Sequence, residues 1–143
     1  MRLRWLLLLA GLVALVADLA THRGRLRRAL VRFGRSWQAR VAVEGQSMEP
    51  TVLAGDWLLV DPDAYARQAP LPGALVLAPD PRQDDRLLIK RVGSVDPDGW
   101  LRLAGDEPER SSDSRIFGAV DPALVAGAPW FRYWPPGRFG RIR

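Results

Sequence analysis

Cysteine is absent from the 143-residue sequence. That excludes disulfides, thiol nucleophiles, iron–sulfur clusters and thiolate zinc sites. Histidine occurs once, as His22. A single imidazole near the N-terminus cannot give the rest of the chain a histidine metal cluster or a Ser-His-Asp triad. Lysine also occurs once, as Lys90, against twenty arginines. Arginine stays protonated at any working pH, so a base for enzymatic chemistry must be a carboxylate, Lys90 or a bound water. No metal and no other cofactor is expected.

The net charge of +5 is unevenly spread. Residues 1–40 hold nine Arg and one Asp, whereas residues 41–143 hold eleven Arg, one Lys and fifteen acids. The basic excess is N-terminal and the remainder is mildly acidic. A nucleic-acid groove across the folded part is therefore not expected.

Residues 1–40 are expected to form a membrane anchor and a basic amphipathic segment, and residues 41–143 a β-rich catalytic domain. From Trp5 to Ala17 run thirteen uncharged residues, ended by Asp18. A membrane span needs about 20 mostly apolar residues. Residues 3–21 reach that length if Arg4 snorkels and Asp18 lies at an interface. A single-pass anchor in a bacterial plasma membrane is the preferred reading, and a cleaved signal peptide is its rival. In residues 22–40, Leu26, Leu30, Phe33 and Trp37 fall on one helical stripe, with Arg25, Arg28, Arg32 and Arg35 opposite. Such a helix suits an anionic lipid surface; equally, its stripe could pack on the chain's own domain. Two arginines precede the apolar run and seven follow it. The positive-inside rule then keeps the C-terminal part cytoplasmic, which conflicts with a simple exported domain and leaves its side open.

After residue 40 the apolar runs are short: 41–43, 57–60, 74–78, 86–92, 100–104 and 116–120. Turn clusters at 61–63, 70–73, 79–85 and 96–99 separate them. The fold class is mainly β, a folded sheet or partial barrel of short strands with little helix.

Three segments carry chemistry. In VAVEGQSMEP, Ser47 follows a strand and Gly45, and Pro50 then fixes the backbone. A serine on such a turn can project its hydroxyl while its N–H acts as an oxyanion donor, although most such residues are plain turn serines. In RLLIKRV, Lys90 follows three apolar residues. Burial there would favour the neutral amine; the alternative is a lysine facing solvent beside Arg91. In GDEPERSSDSRIFGAV, Ser111, Ser112 or Ser114 could orient that amine, and Asp113 and Arg115 could pair. Ser47 and Lys90 together permit acyl transfer: neutral Lys90 takes the hydroxyl proton, Ser47 attacks a peptide carbonyl, and an acyl-enzyme forms.

These blocks in this order resemble the type I signal peptidase family of Ser-Lys serine proteases. SMEPT, the Gly55–Asp56 pair, KRV, the Gly105–Asp106 pair and SSDSRIFGAV carry the resemblance, over residues 41–136. It implies a signal-peptidase-like β fold behind an N-terminal membrane helix. It implies Ser47 as nucleophile and oxyanion donor, Lys90 as general base, and Ser111 as the hydroxyl orienting the amine. Asp113 and Arg115 match the supporting pair. Val41, Val43, Met48, Val52 and Ile89 match positions lining shallow pockets for small substrate side chains. The partners implied are membrane lipid and an extended polypeptide, added as a strand.

Three departures stand out. The third block reads GDE, with Glu107, where GDN is usual. Gly45 occupies a position where some members carry a hydroxyl that completes the oxyanion hole, so a second donor is not identified. Only fourteen residues separate Lys90 from Gly105, so the extra domain of longer members is missing. The chain looks like the short branch that includes mitochondrial inner-membrane peptidases and nickel-type superoxide dismutase maturation proteases. Two other classes remain open. One is a self-cleaving regulator of the SOS-repressor type, although Ala10-Gly11 lies inside the apolar run. The other is a non-catalytic membrane-surface β module.

Overall fold

A computed structural model describes residues 21–142. The apolar run 5–17, and with it the expected membrane anchor, lies outside the described residues. Among the described residues, no helix is long and apolar enough to cross a membrane. The chain divides into two compact units after Gly34.

Helix α1 covers residues 21–38. In the first unit the stripe residues Leu26, Leu30 and Phe33 are exposed, as are the arginines. The second unit begins with the last turn of α1. There Ser36 is fully buried and its Oγ accepts from Trp130 Nε1 at 3.1 Å. Trp37 packs on Tyr133 at 5.3 Å between ring centres, and Arg35 pairs with Asp63.

The second unit is mainly β. Strands β1 (Val41–Ala42), β2 (Trp57–Asp61), β6 (Ala128–Trp134) and β7 (Gly140–Arg141) form one antiparallel sheet in the order β1-β2-β6-β7. Strands β3 (Leu75–Asp80), β4 (Gln83–Val95) and β5 (Leu101–Ala104) form a second, in the order β3-β4-β5. The sheets meet where Leu77 bonds the chain entering β6: its N–H donates to Gly127 O at 2.8 Å and its carbonyl accepts from Ala126 N at 2.7 Å. One apolar cluster gathers Val76, Ala78, Val92, Leu101, Leu103 and Val120. A second gathers Met48, Val52, Leu58 and Leu75. Successive side chains of a pleat point to opposite faces. Strand β3 therefore feeds both clusters, Val76 and Ala78 entering one and Leu75 the other.

Strands at 41–43, 57–60, 74–78, 86–92 and 100–104 appear where the apolar runs predict them. The structure corrects two expectations. Residues 116–120 are not a strand. Helix α2 (Ser114–Phe117) takes the first two residues of that run, because the Asp113 carboxylate caps it by accepting from Arg115 N at 3.1 Å. Only Val120 pairs, with Leu101. Residues 79–85 are not all turn either. The turn itself is residues 81–82. Buried Asp80 closes it by accepting from Arg82 N, Nε and Nη2 at 3.1, 2.9 and 2.9 Å, which lets β3 and β4 run into the hairpin.

Candidate active site

An open cleft of about 1080 Å³ lies between two chain segments. One wall is β1 and the residues after it: Val41, Ala42, Val43, Glu44 and Gly45, then Ser47 and Met48. The other is the first half of β4, including Gln83 and Asp85 to Ile89. Strand β1 is the edge of its sheet. Strand β4 pairs with β5 only from Arg91 onward, so its first half also has an open edge. Both open edges face one cleft, which is the geometry that receives an extended peptide.

Ser47 sits in a loop closed at its base. Val43 N donates to Asp56 O at 2.9 Å and Gly55 N to Val43 O at 2.8 Å. Met48 is held inward by the apolar core and by its carbonyl, which accepts from Val52 N at 2.8 Å. Ser47 is thereby left at the cleft surface.

Lys90 lies on the inward face of β4 between buried Leu88 and Val92 and is only 1% exposed. Its Nζ donates to Ser111 Oγ at 2.9 Å. No hydrogen bond joins it to the Ser47 hydroxyl among the described residues. Burial pushes the Lys90 amine down to about 8. Asp113 pulls it back upward, Arg86 and Arg82 push it further down, and Asp80 opposes them. The Asp113 carboxyl is itself held down at about 2, first by the Arg115 guanidinium, against its burial, and then by Arg115 N–H, the Ser111 hydroxyl and Gly105 N–H. Arg115 grips Asp113 with Nε and Nη2, both at 2.9 Å. The amine, the Ser111 hydroxyl, the carboxylate and the guanidinium thus stand in sequence. Ser114 serves elsewhere, its Oγ accepting from Leu103 N at 2.7 Å.

Gly105 brings this row to the serine loop. A Cβ at residue 105 would collide with Ser111 Oγ and stand 2.5 Å from Ser47 O. Ser111 and the Ser47 backbone therefore both pack on one hydrogen-bearing carbon, and Glu107 N donates to Ser47 O at 3.0 Å. In the sequence Gly105 and Asp106 read only as a turn, which hides what each of them does. Asp106 accepts from Thr51 Oγ1 at 2.6 Å and from Arg91 Nε and Nη2 at 2.8 and 2.7 Å. It ties the serine loop to the strand bearing Lys90. The available signal was the Gly-Asp pair itself, which occurs twice in the chain.

Of the expected substrate-pocket residues, Val41, Val43, Met48 and Ile89 line the cleft. Val52 does not: at 0% exposed it lies in the core with Met48. Gly45 lines the cleft, and a Cβ there would meet nothing within 4 Å.

The family model for signal peptidase, peptidase S26, matches residues 28–99. The chain belongs to the signal peptidase family. It is a signal-peptidase-like serine endopeptidase. The matched stretch contains Ser47 and Lys90 and ends before Gly105. Mitochondrial ATP-independent inner membrane protease subunit 1a of Arabidopsis thaliana is 31% identical over 123 residues, covering 71% of this chain and 73% of the relative. Mitochondrial inner membrane protease subunit 2 of Danio rerio is 30% identical over 125 residues, covering 76% and 65%. Signal peptidase IB of Staphylococcus aureus strain N315 is 41% identical over 46 residues, 32% of this chain and 24% of its own.

Proposed function

We propose that this signal peptidase relative cleaves leader segments or propeptides through a Ser47–Lys90 dyad. The observation that carries this reading is the chain's one lysine, buried at 1% exposure with its amine on Ser111 and its pKa lowered to about 8. In that state Lys90 takes the proton of the Ser47 hydroxyl. The oxygen attacks the peptide carbonyl, and the Ser47 N–H receives the developing oxyanion. The protonated amine then gives its proton to the leaving nitrogen. Water, deprotonated by the same amine, releases the acyl group and restores Ser47. Ser111 aims the amine, and Asp113 with Arg115 holds Ser111. The substrate strand lies between β1 and β4, with small side chains over Val41, Val43, Met48 and Ile89. Ser47→Ala and Lys90→Arg should each abolish cleavage of a leader-bearing substrate without loss of folding; a Lys90→Arg protein with normal turnover would end the mechanism.

Membrane association is the setting. The relatives named for an inner membrane support it, as does the exposed stripe of α1 beside its arginines. Residues 1–40 act as the anchor and lipid-facing segment, and the catalytic domain follows. The finer substrate assignment is the propeptide of a nickel-type superoxide dismutase precursor. It rests on the short Lys90–Gly105 spacing and on the arginines that keep the domain on the cytoplasmic side. Comparing protein N-termini in cells carrying the parent chain and cells carrying Ser47→Ala tests it; a C-terminal reporter found outside the cytoplasm overturns it.

A further inference from the structure

The first Gly-Asp pair, Gly55–Asp56, and strand β6 with the turn after it have no part in the dyad, yet they meet. Asp56 is 1% exposed. Its carboxylate accepts from Leu53 N at 2.9 Å, from Arg132 Nη1 at 2.9 Å and from Arg138 Nη1 at 3.0 Å. Arg132, on β6, also donates from Nη1 to Thr51 O at 3.2 Å and from Nε to Arg138 O at 2.5 Å. Thr51, Leu53 and Asp56 all belong to the loop that carries Ser47. Through its own backbone Asp56 also holds Val43 on the cleft wall. We infer that Arg132 and Arg138 are positioning residues: through Asp56 they clamp the far side of the serine loop and so set the position of the Ser47 hydroxyl. The inference rests on Ser47 being the nucleophile.

Chemistry favours this over ordinary surface pairing. A buried carboxylate with two guanidiniums is satisfied only in one arrangement, because each arginine presents a rigid fork. Lysine can keep the charge of Arg132 but cannot reach the Asp56 carboxylate, Thr51 O and Arg138 O from one point. The clamp touches neither Lys90 nor Ser111, so it acts on the attacking oxygen and leaves the base alone.

The test is steady-state cleavage of a peptide substrate by the full chain and by Arg132→Lys, Asp56→Asn and the double variant, with circular dichroism confirming the fold. Displacing a reacting group by about 1 Å costs up to ~100-fold. Each single variant should therefore lose ~10- to 100-fold in kcat. The pH at which activity is half-maximal should not move, since the amine's surroundings are intact. The double variant should be no worse than the more impaired single, because both break one unit. A kcat within about twofold of the parent in folded variants would overturn the inference, as would a shifted pH midpoint or multiplicative losses. Ser47→Ala, run alongside, separates the two claims: if it stays active, the dyad reading fails; if it is dead while Arg132→Lys is normal, only the clamp fails.

Discussion

At the residue scale the decisive quantity is the free energy of one proton. Lys90 loses its proton near 8 in the fold and near 10.5 when unfolded. Cleavage should therefore rise with pH and reach half its plateau near pH 8, measured as kcat/KM on a soluble peptide. Asp113 raises the Lys90 pKa and Arg86 lowers it. Arg86→Gln should thus move the midpoint upward. Asp113→Asn should move it downward while cutting the plateau, because Ser111 loses its support. The unfolded chain binds more protons than the folded one between pH 8 and 10.5, so the Lys90 contribution to stability improves as pH rises through that window. Below pH 8 the buried ammonium is a standing cost. Lys90→Met should abolish activity yet stabilise the fold by ~3 kcal/mol at pH 7, given ~1.4 kcal/mol per pKa unit over the shift from 10.5 to about 8. Urea titration checks this, and the gain should vanish at about pH 11, above both pKa values.

At the element scale the site is a meeting of three loops and one strand, and its tolerances are set by contact. Gly105→Ala would drive a methyl into Ser111 Oγ and Ser47 O. It should cost ~100-fold in kcat/KM with a melting temperature only modestly lower, because the loop rather than a core cluster must move. Much of this was legible beforehand. The apolar runs located five strands, and the lone lysine in an arginine-rich chain stood out as the candidate base, because within residues 86–92 the other ionisable side chains are arginines, which stay protonated. One unread part is non-local, and others turn on single hydrogen bonds. Nothing near Asp56 announces Arg132, seventy-six positions away. The run at 116–120 reads as a strand because Ile116, Phe117 and Val120 are apolar. The Asp113 cap, which turns it into a helix, is a property of one side-chain oxygen. The resemblance groups Val52 with the pocket-lining residues, yet its N–H bonds Met48 O and its side chain lies in the core.

At the scale of the whole molecule, charge is segregated along the sequence. Residues 21–40 hold seven arginines and no acid, with Leu26, Leu30 and Phe33 exposed among them. Binding to vesicles containing phosphatidylserine should be strong at low salt and fall steeply by about 0.5 M, as headgroup attraction is screened. Leu30→Ser with Phe33→Ser should weaken it about tenfold or more while leaving cleavage of a soluble peptide unchanged. Co-sedimentation checks the first and a peptide assay the second. Retained binding in that double variant would leave arginine attraction alone as the cause.

The two bare strand borders around the cleft have a further implication. A polypeptide must be stripped of its own helix or hairpin before its amides can satisfy them, so a substrate that docks there as a strand is selected for disorder first and composition second. Methylating alternate amide nitrogens of a good peptide should ruin it in one phase of the alternation and spare it in the other, with every side chain unchanged.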